Sequence, residues 1–247
     1  MQWVGKGIRV GMVLALAACS TPPTGVARMP QVTLSVASGW SSAASVADRD
    51  IIQTDGTSTL RVTRVTVVVR RMELKRQFQS GCSGGTVTPE CQSLVLGPLL
   101  VDLPVDRETA AVVSVDVSPG TYDEVDFEIH KPDDDTLGDQ AFLLAHPEFR
   151  RISIRAEGEF DGAPFVFTQD LNERQEADLS PPLTVRIDAP ATNVTLRIDA
   201  RTWFWDDGVL IDPRTALKGR NNENVVEDNI ERSIEAFVDE DWDGRPD

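Results

Sequence analysis

The chain has 247 residues, of which 26% are charged, and its 40 Asp and Glu outnumber 24 Lys and Arg to give a formal charge of -16. That length holds one large or two small domains. A surface so acidic excludes nucleic acid, and as a whole repels anionic lipid headgroups.

In chain order, Met1 to Ser20 combines Lys6 and Arg9, a short apolar run over Val10 to Ala18, and Leu16-Ala17-Ala18-Cys19. The apolar run is about half of the roughly 20 residues a helix needs to cross a bilayer, so it reads as a secretory leader and not as a span. Leu16 to Cys19 resembles the lipobox of bacterial lipoproteins. The resemblance implies cleavage after residue 18, lipidation of Cys19 with palmitate as one acyl chain, and attachment to the membrane through that lipid. Ser20, not an aspartate, follows the cysteine, which by resemblance to diderm sorting implies the outer membrane of the cell envelope. Residues 20 to 30 are then a Pro/Gly/Thr linker. Once the leader takes Lys6 and Arg9 away, the remainder is more acidic still.

With Cys19 assigned to lipid, Cys82 and Cys91 are the remaining cysteines, and an even pair in an exported chain is expected as one disulfide. It would close a ten-residue loop. Loop-closure entropy assigns such a bridge roughly 2 to 3 kcal/mol.

A strand is expected over Gln31 to Ala37, where Val32, Leu34 and Val36 alternate with Thr33 and Ser35, and a long loop over Trp40 to Ser58. Leu60 to Leu74 is β-rich with a break of phase at Thr63-Arg64 that predicts a bulge. Ser93 to Leu103 reads as a strand interrupted by Gly97-Pro98. Val113 to His130 reads as a hairpin turning at Pro119-Gly120. Asp139 to His146 predicts a short helix stopped by Pro147. Strands are expected again at Arg151 to Phe160, Pro164 to Gln169, Leu183 to Asp188 and Val194 to Asp199. About nine short strands with period-two patterning predict an antiparallel β-sandwich. A helix opening at Asn224, with Glu227 at capping-box spacing, should lay Val226, Ile230, Ile234 and Phe237 on it. The expected division is a signal peptide over 1–18, a lipid-anchored linker over 19–30, a β-sandwich over 31–221, and a C-terminal helix and acidic tail over 222–247.

Leu99 to Leu103, the turn Ser118-Pro-Gly-Thr-Tyr-Asp-Glu-Val125, Trp203-Phe-Trp-Asp-Asp-Gly208 and the stretch from Asn229 to Gly244 together resemble a family of bacterial lipoprotein β-sandwich domains of undefined function. Such domains are described as prealbumin-like or immunoglobulin-like. The resemblance implies a binding or structural domain and carries over no catalytic residue.

No G-x-S-x-G, H-E-x-x-H or phosphate-cradling glycine loop occurs, His130 and His146 read as surface residues, and no catalytic role is assigned. Asp239, Asp241, Asp243, Gly244 and Asp247 give the order D-x-D-x-D-G-x-x-D. Calcium takes six to eight hard oxygens around a tight turn. The candidate ligands are the carboxylates of Asp239, Asp241, Asp243 and Asp247 and the carbonyl of Arg245, although the chain stops short of a bidentate acid at position twelve. A solvated acidic terminus is the plainer reading of the same residues. Trp203 and Trp205, two apart, would share one face of a strand and could stack on a sugar ring or seal the end of the sandwich. The expected role is a non-enzymatic structural or interaction module of the envelope. The alternative is a surface lipoprotein that binds carbohydrate with calcium as an aid, with an envelope protein or glycan as partner.

Overall fold

β3 (Thr59–Arg76), eighteen residues long, is the spine of the molecule. In the computed structural model, residues 29–38, 50–77, 93–105, 109–133, 135–187 and 191–247 are described. The expected leader, Cys19 and the residues from Cys82 to Cys91 lie outside them. Before β3 come β1 (Gln31–Ala37) and β2 (Ile51–Thr54); after it come β4 (Leu94–Leu96), β5 (Leu99–Asp102), β6 (Thr109–Asp116) and β7 (Gly120–Ile129). The short helix α1 (Leu137–Ala145) precedes β8 (Ile154–Phe160), β9 (Ala163–Gln169), β10 (Glu173–Val185) and β11 (Thr192–Ile198). β12 (Trp205–Asp206), β13 (Val209–Leu210), α2 (Glu223–Arg232) and β14 (Ile234–Val238) complete the order.

These strands form two main sheets and one small hairpin. β3 pairs with β2, β5 and β4 along one edge, and with β8 and then β7 along the other; β9 and β10 extend that sheet to eight strands. The register slips between Val62 and Arg64, where the break of phase predicts a bulge. The second sheet has the order β14-β11-β1-β6. Val32, Leu34 and Val36 of β1 and Val194, Leu196 and Ile198 of β11 share one hydrophobic core with Leu60, Val62, Val65, Val67 and Val69 of β3. On the other side of β3, Val68 packs with Phe142 of α1 and Phe149 in a smaller cluster.

Several expectations need correction. β1 runs parallel to β11, so the four-stranded sheet is mixed and not antiparallel throughout. Val113 to His130 does not pair with itself: β6 joins β1 in one sheet, whereas β7 joins β3 and β10 in the other. Pro119-Gly120 therefore carries the chain between sheets, and the Tyr122 hydroxyl donates to the Ser118 carbonyl at 2.8 Å across that corner. Ile51 to Thr54, expected within a loop, pairs with β3 across a turn in which the Asp55 carboxylate accepts the N–H groups of Thr57 and Ser58.

The C-terminal helix is shorter than the spacing of its apolar residues suggests. Val226 and Ile230 lie buried on α2, but Ile234 and Phe237 belong to β14, which pairs antiparallel with β11. Ser233 ends the helix, its N–H and hydroxyl both donating to the Ile230 carbonyl, and from Ile234 onward the period is two. The cap is Asn222 without a side-chain bond, so the capping box from Asn224 to Glu227 does not form. The disulfide expectation is also corrected. Among the described residues no cysteine pair stands at disulfide distance, Cys82 and Cys91 lie outside them, and the bridge is given up.

Candidate metal centre in the C-terminal loop

β14 delivers the chain to Asp239 at the edge of the four-stranded sheet, where the Asp239 N–H donates to the Asn193 carbonyl at 3.2 Å. The loop then folds back on itself through two residues in the left-handed region, Trp242 (φ 64°) and Gly244 (φ 77°). A glycine serves the second of these turns without the steric cost of a Cβ. Asp243 N–H donates to the Asp239 carboxylate at 3.0 Å and to that of Asp241 at 3.2 Å. Gly244 N–H reaches Asp239 Oδ2 at 3.1 Å, and Arg245 N–H reaches Asp243 Oδ1 at 2.8 Å. Each aspartate thus turns the backbone back toward its own side chain. As a result Asp239, Asp241 and Asp243 each place a carboxylate oxygen within 4.8 Å of the other two. Asp247 stands outside that group; its carboxylate accepts the Glu240 N–H and its own N–H donates to the Val238 carbonyl.

Asp239 differs from the other two in being 0% exposed, while Asp241 and Asp243 are open to solvent. Burial raises its pKa above the ordinary aspartate value. The Thr195 hydroxyl and the Gly244 and Asp243 N–H groups pull the other way, and the Asp243 charge adds to the rise. Thr195 Oγ1 donates to Asp239 Oδ2 at 2.7 Å and accepts from Asn193 Nδ2 at 3.1 Å, and Asn193 Oδ1 accepts from Ser35 Oγ at 2.7 Å. A buried polar chain therefore runs from β1 through β11 to the acidic loop. The sequence carries a faint sign of it: the alternate residues of β1 and β11 are Thr33, Ser35, Asn193 and Thr195, polar but uncharged, as suits a sheet face that is covered.

The tryptophan pair does not form a stacking platform. Trp203 follows a 3-10 turn over Ala200–Thr202 in helical backbone, so the two-apart rule for strands does not apply to it. It is 0% exposed, its indole N–H donates to Ser233 Oγ at 2.9 Å, and its ring meets Phe204 edge-on at 6.4 Å. Trp205, in β12, is half-buried against the same core. Asn229 of α2 ties the two together, its side-chain amide donating to the Trp203 and Trp205 carbonyls at 2.9 and 2.7 Å. The indoles thus serve to close the core against α2.

Both histidines are half-buried: His130 Nδ1 lies 2.7 Å from the Lys131 carbonyl, and the His146 ring packs at 4.9 Å from Phe142. No helix among the described residues is long and apolar enough to cross a membrane. No family model, curated protein or solved structure matches the chain. The resemblance to prealbumin-like and immunoglobulin-like lipoprotein domains therefore reduces to a mostly β, multi-sheet fold.

Proposed function

We propose that the protein is a non-enzymatic, lipid-anchored β-sandwich module of the bacterial outer envelope whose C-terminal loop binds calcium. The observation that carries the calcium reading is the convergence of the Asp239, Asp241 and Asp243 carboxylates within 4.8 Å. Three carboxylates on one turn repel one another, and one of them is buried at a cost to its charged form. A hard divalent cation would offset both effects, with backbone carbonyl and water oxygens completing its shell. The lipid anchor rests on Leu16 to Cys19. The burial of Trp203 removes the motive for a carbohydrate ligand.

The test is thermal unfolding of the full chain with calcium and with magnesium. At a hundredfold excess over Kd a ligand of the native state adds about 2.7 kcal/mol. For a domain of this size that is a rise in Tm of roughly 5 to 10 °C. Magnesium, which prefers a tight octahedral shell and keeps its waters, should add less. Asp241→Asn keeps an oxygen for the Asp243 N–H but loses the charge. It should abolish the difference between the ions while leaving the metal-free Tm nearly unchanged. Equal shifts by both ions in both proteins would reduce the loop to a solvated acidic end.

A further inference from the structure

The strongest unassigned feature lies on the far side of the molecule's charge balance. In a chain with 40 acidic side chains, the guanidinium groups of the adjacent Arg150 and Arg151 have no partner among the described residues. Both line one open cavity of about 250 Å³, together with Lys131, Pro132, Asp133 and Leu143. In a strand, neighbours in sequence would point to opposite faces. Here Arg151 adopts a left-handed backbone (φ 70°), and both residues line the same space. The turn that presents them is held from below: Phe149 is buried against Val68 and Phe142, and Ile152 N–H donates to the Phe149 carbonyl at 3.2 Å.

The other charges around the cavity are already matched. Lys131 Nζ lies 3.5 Å from Asp170, and Asp133 lies 3.3 Å from Arg70 and 3.8 Å from His130 Nδ1. What is left over is the double positive charge of the two arginines. We infer that Arg150 and Arg151 form a binding site for a phosphate group. Guanidinium forks match the negative charge and the paired oxygens that a phosphate presents, whether as the free ion or as a diester. Beside the cavity, the exposed face of α1 bears Leu137 (84% exposed), Leu144 (87%), Gly138, Gln140, Ala141 and Ala145, and no charge. The phosphate can therefore come from solution or from a lipid headgroup whose acyl region meets those leucines.

The experiment titrates the full chain with inorganic phosphate in calcium-free buffer, against chloride at matched ionic strength, so that its outcome is separate from that of the calcium site. Phosphate should bind in preference to chloride and shift the side-chain Nε–H resonances of Arg150 and Arg151. The double variant Arg150→Gln, Arg151→Gln should unfold at the wild-type temperature and bind phosphate about tenfold more weakly, or worse. No preference over chloride, or equal affinity in the variant, overturns the site. Vesicles of phosphatidylglycerol and of phosphatidylcholine, mixed with the full chain carrying Cys19→Ser so that the proposed anchor plays no part, then name the source. Retention on the former alone, lost with Leu144→Ser and with the double variant, assigns a lipid headgroup. Phosphate binding without vesicle retention assigns a soluble phosphate.

Discussion

Two buried carboxylates in this protein titrate in opposite senses. For Asp126, burial alone would raise the pKa, but the hydrogen bonds and charge of Arg174, helped by Lys75, hold it below the ordinary value. Its charged form is therefore favoured by folding, and the stability it adds is present above the unfolded pKa and lost as pH falls through the lower folded one. Asp126→Asn should cost about 1 to 2 kcal/mol in urea unfolding at pH 7, because Arg174 stays largely solvated. That difference should close in acid. Asp239 has a raised pKa, so its contribution is present below the unfolded value and lost as pH rises through the folded one. Asp239→Asn does not titrate. Without metal, its stability relative to wild type should therefore climb from the ordinary aspartate range toward neutral pH. A flat or falling difference would contradict burial as the cause.

At the scale of elements, packing decides what local pattern leaves open. Gly158 of β8 shows it most sharply: it sits opposite Val62 of β3, beside the bulge, and a Cβ built there would lie 1.9 Å from the Arg61 carbonyl oxygen. Gly158→Ala should separate the two strands at that point and cost about 1 to 3 kcal/mol in urea unfolding. An unchanged midpoint would show that β3 and β8 can part without loss. The bulge beside it was legible as a break of phase at Thr63-Arg64, and β1 as a clean alternation. β10 was not. Arg174, Glu176 and Asp178 alternate with Gln175, Ala177 and Leu179, but charges on an exposed strand face resemble a loop until the partner is known. The partner is β7, whose Glu124 and Asp126 form an ion-pair group with Lys75, Arg174 and Glu176. The same limit applies to Ile234 and Phe237, whose spacing from Ile230 suits a helix face, whereas pairing with β11 makes them a strand. At the acidic loop, the order of aspartates was readable, but the buried threonine and asparagine behind Asp239 both come from β11, a strand distant in sequence.

For the whole molecule, charge sets how it can be held at a membrane. A net charge of -16 gives a repulsive average field toward anionic headgroups, which falls off over a Debye length of about 8 Å at physiological salt. The stretch between Cys19 and Pro30 contains one basic residue, Arg28, so no polybasic segment assists the proposed anchor. Attachment would then depend on acyl chains, at about 0.8 kcal/mol per buried methylene, a hydrophobic contribution that salt does not screen. The local pair at Arg150 and Arg151 adds at most a salt-sensitive contact to this. Expressed in a diderm bacterium, the protein should take up labelled palmitate, stay with the outer membrane through a high-salt wash and come off in detergent. Cys19→Ser should lose the label and leave the membrane fraction. Release of the wild type by salt alone would mean that charge holds it, and equal labelling of the variant would remove Cys19 as the lipid site.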